Sequence, residues 1–132
     1  MSEQPKILIV DDDPDVQDAL KLVLETQPYQ LTIASNGEEC LEKVKKSLPD
    51  LIILDLLMPK KDGFEVIKEL REEPEYPRIP IIILTAVKKE ASDRRYELET
   101  GLAMDVDDYV EKPIQPNDLL HRVQKILKRA KK

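Results

Sequence analysis

Five polar residues of this chain stand directly behind short apolar runs, and their types are those that phosphoryl chemistry needs. Asp11 and Asp12 follow Lys6-Ile7-Leu8-Ile9-Val10, Asp55 follows Leu51-Ile52-Ile53-Leu54, Thr85 follows Ile81-Ile82-Ile83-Leu84, and Lys112 follows Asp108-Tyr109-Val110-Glu111. Open α/β sheets place their sites at the carboxyl ends of such strands. If the strands that carry Asp11, Asp12 and Asp55 are neighbours, three carboxylates crowd together, which like charges disfavour without a cation. All-oxygen ligands with few protein donors suit Mg²⁺, which keeps several waters and accepts phosphate oxygens as further ligands. The hydroxyl of Thr85 and the ammonium of Lys112 are suited to hold the remaining charge of a phosphoryl group. Asp55 is the carboxylate placed to act as nucleophile and form an acyl phosphate. Each residue alone has a plainer role: a strand-end cap for Asp55, a solvated lysine for Lys112, a strand-end hydroxyl for Thr85, an edge aromatic for Tyr109. Their joint placement is what points to phosphoryl transfer.

The elements that must position them are legible in order. Lys6–Val10 reads as a strand, and Asp13-Pro14 as a helix N-cap followed by proline at the first helical position. Val16, Ala19, Leu20, Val23 and Leu24 recur at helical spacing. Leu31–Ala34 is a second short strand, closed by Ser35-Asn36-Gly37. A second helix turns Leu41, Val44 and Leu48 inward and its Glu and Lys residues outward, with Cys40 at the core or its boundary. Leu51–Leu54 has the continuous apolar character of a strand buried on both faces. Pro59 and Asp62-Gly63 then give a turn before a third helix marked by Phe64, Ile67 and Leu70 and ended by Pro74, Pro77 and Pro80. After the strand at Ile81–Leu84, Val87 to Asp107 reads as a fourth helix with a thin apolar stripe. Asp108–Glu111 is a fifth strand. Pro116 opens the last helix, whose buried face is Leu119, Leu120, Val123, Ile126 and Leu127 and on which His121 is solvated. Strands alternating with helices imply a parallel sheet covered on both faces: a doubly wound α/β fold of one domain, residues 1–132.

Composition narrows the function. With 36% charged residues and a formal net charge of −6, the chain is a poor candidate for nucleic-acid binding. The basic C-terminal residues Lys125, Lys128, Arg129, Lys131 and Lys132 complement a helix dipole instead. One cysteine excludes an internal disulfide and fits a reducing compartment. No apolar run approaches the ~18 residues of a membrane span, and Met1–Lys6 carries no signal-peptide core. A cytoplasmic protein is expected.

The chain resembles the response-regulator receiver domains of two-component signalling over essentially its whole length. The residues that carry the resemblance are Asp11-Asp12, Asp55-Leu56-Leu57-Met58-Pro59-Lys60-Lys61-Asp62-Gly63, Thr85-Ala86 and Asp107-Asp108-Tyr109-Val110-Glu111-Lys112-Pro113. It implies a five-stranded flavodoxin-like (βα)5 fold with strand order 2-1-3-4-5. It implies further that Asp55 is the phosphoacceptor and that Asp12, Asp55 and the backbone carbonyl of Leu57 ligate Mg²⁺, with Asp11 holding a metal-bound water. Thr85 would be the switch hydroxyl, Tyr109 the aromatic that moves inward with it, and Lys112 the phosphate-pairing lysine, ahead of a cis peptide bond to Pro113. The implied partners are a histidine kinase or phosphotransfer protein as donor and a separate downstream protein as target. With no output domain after Lys132, a stand-alone monomer or weak dimer is expected, binding neither nucleic acid nor membrane. Such a protein is not an enzyme beyond assisting its own phosphorylation and dephosphorylation. One departure from the family pattern is about four extra residues before the Asp-Asp-Tyr run, Leu102-Ala103-Met104-Asp105.

Two readings of other classes compete. An aspartyl-phosphate hydrolase would want a second carboxylate two residues after the nucleophile, where this chain has Leu57. A phosphorylation-independent docking module would not need the set Asp12, Asp55, Thr85 and Lys112. The thin-striped fourth helix, the fifth strand and the fifth helix are expected to form the phosphorylation-sensitive face, because less packing resists displacement there. A long-lived phosphoryl group is expected as well. The residues two positions after Asp55 and Thr85 are Leu57 and Val87, and neither can orient an attacking water. Replacing them by Asn and Glu together is expected to speed loss of the phosphoryl group, read from its decay; an unchanged rate would refute this.

Overall fold

Runs such as Leu51-Ile52-Ile53-Leu54 put apolar side chains on both faces of a strand, so a sheet built from them has to be covered twice. The computed structural model describes residues 4–56, 58, 61–85 and 106–130 and shows this arrangement. Strands β1 (Lys6–Val10), β2 (Gln30–Ala34), β3 (Leu51–Asp55), β4 (Ile81–Thr85) and β5 (Asp108–Glu111) form one parallel sheet in the order β2-β1-β3-β4-β5. The expected order 2-1-3-4-5 is the observed one. Helices α1 (Pro14–Leu24), α2 (Gly37–Lys46), α3 (Gly63–Glu72) and a C-terminal helix (Pro116–Ala130) flank it. The fourth helix expected over Val87 to Asp107, with Leu102-Ala103-Met104-Asp105, lies outside the described residues as far as residue 105, and Val106 and Asp107 are not helical.

Successive residues of each central strand serve different layers. Leu8, Val10, Ile52, Leu54, Ile81 and Ile83 pack with Cys40 and Val44 of α2 and Val66, Ile67 and Leu70 of α3. Ile7, Ile9, Leu51, Ile53, Ile82 and Leu84 pack with Leu20 and Leu24 of α1 and with Leu119, Val123, Ile126 and Leu127 of the C-terminal helix. Each buried side chain of this size contributes roughly 1.5–3 kcal/mol of transfer free energy. That outweighs any local propensity in setting the strand register. On β2, an edge strand, the face toward α2 carries the exposed polar residues Gln30 and Thr32.

Helix starts follow the cap rule. Asp13 accepts from the Asp15 N–H (2.9 Å), Asn36 from the Glu39 N–H (2.9 Å) and Asp62 from the Glu65 N–H (3.0 Å). Each cap is worth about 1 kcal/mol. One expectation fails: Leu48 is 43% exposed, not inward. Helix α2 ends at Lys46 because Pro49 disfavours helical backbone at the residue before it, so Leu48 never joins the buried stripe.

The start of β5 is fixed to β4 by Asp107. Its Oδ2 accepts from the Ile81 N–H (2.8 Å), its Oδ1 from Arg78 Nη1 (2.9 Å), and its own N–H donates to the Ile81 carbonyl (2.9 Å). Replacing Asp107 by Ala leaves the N–H of a buried residue unpaired, with an expected loss of about 1–3 kcal/mol in chemical denaturation. Asp107→Asn keeps an acceptor oxygen and should lose less. Equal losses would mean that the hydrogen bond to Ile81 is not what Asp107 contributes.

Candidate functional site

Each chemistry-bearing side chain is delivered by a strand end. Asp11 follows β1 immediately, and its N–H donates to the Ala34 carbonyl at the end of β2 (3.1 Å). Its side chain is fully buried. Oδ1 accepts from the Asp13 N–H at 2.9 Å, while Oδ2 has no hydrogen-bond partner among the described residues. The ammonium of Lys112 lies 3.2 Å from that Oδ2 but off the direction of a hydrogen bond, so the contact supplies charge and little more. Asp12, next in sequence, is exposed. Asp55 is the last residue of β3, 8% exposed, and paired in register with Leu84. Lys112 follows β5 and reaches across to Asp55 Oδ2 at 3.5 Å. The peptide bond from Lys112 to Pro113 is cis.

One carboxylate oxygen from each of Asp11, Asp12 and Asp55 lies within 4.8 Å of the others. Among the described residues, these three carboxylates gather around one ammonium, that of Lys112. Burial pushes the Asp11 pKa up from its ordinary 3.8; the Asp13 N–H and Lys112 oppose this, and the Asp12 charge adds to it. An ionised Asp11 therefore destabilises the fold. The stability it allows is complete below pH 3.8 and is lost as pH rises through the raised value. For Lys112, burial works to lower the pKa, but the carboxylates of Asp55 and Asp11 more than reverse it, and the net shift is upward from 10.5. The lysine thus keeps its charge at least up to pH 10.5. An all-oxygen donor set, a buried oxygen without a hydrogen bond and more carboxylates than ammonium groups among the described residues fit a hard divalent cation such as Mg²⁺.

The structure brings together Asp11, Asp12, Asp55 and Lys112. Thr85 ends β4 opposite Glu111 in the register, which puts its backbone on the same edge of the sheet. Its side chain lies outside the described residues, as do Leu57 and its carbonyl, and Val87. Tyr109 is half-buried against the core on the α2–α3 side. Cys40 is fully buried, its thiol pushed up to about 12 by burial, and His121 is exposed, both as expected.

Two supports were not legible in the sequence. Gln17 Nε2 donates to the Asp11 carbonyl (2.6 Å) and to Ser35 Oγ (3.2 Å), bracing the β1 and β2 exits. Nothing in a helical glutamine marks that role beyond its place one turn after the N-cap. Gly63 closes the loop after β3: its N–H donates to the Leu56 carbonyl (2.8 Å), and a Cβ there would stand 2.6 Å from Leu56 Cα and 2.7 Å from the Asp55 carbonyl oxygen. The Asp62-Gly63 turn was the signal, but the close approach depends on the folded loop.

A family model described as the response regulator receiver domain matches residues 7–124. The alkaline phosphatase synthesis transcriptional regulatory protein PhoP of Bacillus subtilis (strain 168) is 41% identical over 125 residues, 95% of this chain and 49% of that one. The chain spans about half the length of the transcriptional regulators it matches. Among solved structures, the signal receiver domain of a signal transduction histidine kinase from Syntrophus aciditrophicus superposes with a TM-score of 0.82 at 34% identity, covering 94% of this chain and 90% of that one. The receiver domain of a sensor histidine kinase from Pseudomonas aeruginosa PAO1, solved with a magnesium ion coordinated in its active-site cleft, gives 0.81 at 27% identity and covers 94% and 98%.

Proposed function

The chain belongs to the response regulator receiver domain family, and from that membership we propose that it accepts a phosphoryl group on Asp55 from a histidine kinase or phosphotransfer protein. The observation that carries this is the convergence of Asp11, Asp12 and Asp55 within 4.8 Å, with Lys112 3.5 Å from the Asp55 carboxylate. In the proposed step an Asp55 oxygen attacks phosphorus, the new oxygen–phosphorus bond forms, and the bond from phosphorus to the donor's leaving atom breaks. Lys112 holds a phosphoryl oxygen as its carboxylate partner becomes an acyl phosphate, and the Thr85 hydroxyl holds another. Mg²⁺, when bound by Asp12, Asp55 and the Leu57 carbonyl with Asp11 behind them, supplies neutralising charge to the carboxylates and the phosphoryl oxygens. A magnesium ion in the cleft of the similar Pseudomonas receiver supports this choice.

The protein on this reading is a signalling switch and not an enzyme. Thr85 and Tyr109 would couple the modified Asp55 to a face made of the fourth helix, β5 and the C-terminal helix, and that face would bind a downstream protein. On the described part of it, Arg122 pairs with Asp108 (2.6 Å) and Asp118 (3.0 Å), joining β5 to the C-terminal helix. The relatives named as transcriptional regulators are twice as long, and the acidic balance of this chain assigns DNA contact to none of its own residues. No described helix is long and apolar enough to cross a membrane. A cytoplasmic setting is part of the proposal, since a lone protonated thiol suits a reducing compartment.

The test of function is incubation with a small acyl or amidophosphate donor, with and without Mg²⁺, read by intact-mass spectrometry. A phosphoryl adduct that forms with the metal and fails after chelation is expected; no adduct in either would refute the reading. Metal binding has its own readout. Mg²⁺ at a hundred times its dissociation constant should stabilise the fold by about 2.7 kcal/mol. The rise in melting temperature should shrink in Asp12→Asn, whose side chain is exposed and free of structural hydrogen bonds among the described residues. An undiminished rise would place the ion elsewhere.

A further inference from the structure

The opposite end of the sheet from Asp55 carries a second cavity, of about 370 Å³, between the amino ends of β1 and β2 and the last turn of α2. Its rim is cationic: Lys6 from β1 and Lys43 and Lys46 from α2, with the hydroxyls of Thr32 and Ser47 between them. Its floor includes the apolar side chain of Leu8. Lysines in the last turn of a helix answer its dipole, but Lys6 comes from another element and needs a different account.

The lysines are also short of counter-charge. The Nζ of Lys6 donates to the neutral Ser47 hydroxyl (3.2 Å), and Lys46 makes no ion pair with a described residue. Lys43 has the Glu39 carboxylate at 3.9 Å and donates to the Ile33 carbonyl. Of the flanking carboxylates, Asp50 accepts from the Lys6 backbone N–H (2.7 Å) and Glu39 from the Ser35 N–H (2.9 Å), and neither forms an ion pair with the Nζ of Lys6 or Lys46. In a chain with 27 acidic against 21 basic residues, three lysines on one cavity rim, two of them without an ion pair among the described residues, favour an anionic ligand.

We propose that this cavity binds a small organic anion: a carboxylate, phosphate or sulfonate held by Lys6 and Lys46, attached to an apolar body seated over Leu8. The volume falls in the range of small-molecule sites and is too small for a folded partner. An open polar face on β2 is consistent with it, since Thr32 presents a hydroxyl where a covered sheet would present a β-branched apolar side chain.

The probe is 1-anilinonaphthalene-8-sulfonate, an aromatic body bearing one anionic group, titrated into the folded full chain. Saturable one-to-one fluorescence enhancement is expected, with amide shifts in two-dimensional NMR centred on Thr32, Lys43 and Ser47. Lys6→Gln and Lys46→Gln together should weaken binding at least tenfold, with the amide spectrum otherwise retained as proof of folding, while Lys125→Gln should leave it unchanged. The uncharged analogue N-phenyl-1-naphthylamine should bind at least tenfold more weakly. Shifts centred elsewhere, equal binding of the neutral analogue, or unaltered affinity in the double variant would each overturn the proposal. None of these outcomes bears on phosphorylation at Asp55.

Discussion

Asp55→Asn is expected to remove the phosphoryl adduct completely while leaving the fold intact. The substitution preserves side-chain volume at a position that is 8% exposed, and the amide oxygen can still face Lys112. What it removes is the nucleophile, because an amide oxygen does not form a stable bond to phosphorus under conditions where a carboxylate does. The neighbouring carboxylates are poor substitutes. Asp11 is fully buried with one oxygen committed to the Asp13 N–H, and Asp12 is exposed and without a lysine partner among the described residues. An undiminished adduct in Asp55→Asn would show that another residue is the acceptor. Lys112→Ala should slow adduct formation on the order of 10²–10³-fold, the effect of removing one preorganised donor from developing charge. Because the Lys112 pKa is raised, its ion pairs stabilise the fold fully below pH 10.5 and lose that contribution only as pH rises through the higher folded value. Phosphoryl acceptance is therefore expected to show no titration of this lysine between about pH 6 and 9.

Gly63→Ala should produce the second large effect, on stability and on phosphorylation together. A methyl group there would stand 2.6 Å from Leu56 Cα and 2.7 Å from the Asp55 carbonyl oxygen, both backbone atoms that cannot rotate aside. Relief requires the loop to lift, which lengthens the Gly63 N–H to Leu56 carbonyl bond. Overpacking of this kind costs about 1–3 kcal/mol, and a weakened backbone hydrogen bond adds about 1. The carboxylate of Asp55 moves with its own carbonyl, so a slower phosphoryl adduct should accompany the lower denaturation midpoint. Leu22→Ala is the contrast. That side chain is 66% exposed, and its removal should stay within about 0.5 kcal/mol with unchanged phosphorylation. If Gly63→Ala matches Leu22→Ala in both measurements, the close approach of the loop does not position the site.

The strands and three of the site carboxylates were legible because their signals are local. A run of β-branched and leucine residues needs no partner to be recognised, and an aspartate directly behind it needs only the strand to be placed. Asp13-Pro14 declared a helix start by the same logic. What escaped depends on distant chain segments meeting. Lys43 was expected to face solvent with the other charges of α2, yet it is half-buried and turns back to the Ile33 carbonyl on the sheet edge. In the sequence Asp107 reads as the end of the fourth helix and Asp108 as the start of the fifth strand, with no partner foreseen for either; in the fold the first holds β5 to Ile81 and the second faces Arg122. Leu48 continued a helical period that proline had already ended.

The division of the core into two layers also sets where this chain tolerates a change of length. Because odd and even positions of β3 serve different layers, deleting one residue from Leu51–Leu54 would send every remaining side chain to the wrong side. It would also draw Asp55 back by about 3.3 Å, out of reach of its partners. An added residue in a crossover shifts no such alternation and only lengthens a surface path, at a slowly growing entropic cost. Insertions and deletions among descendants of this sequence should therefore collect between the elements and leave the five strands at fixed length.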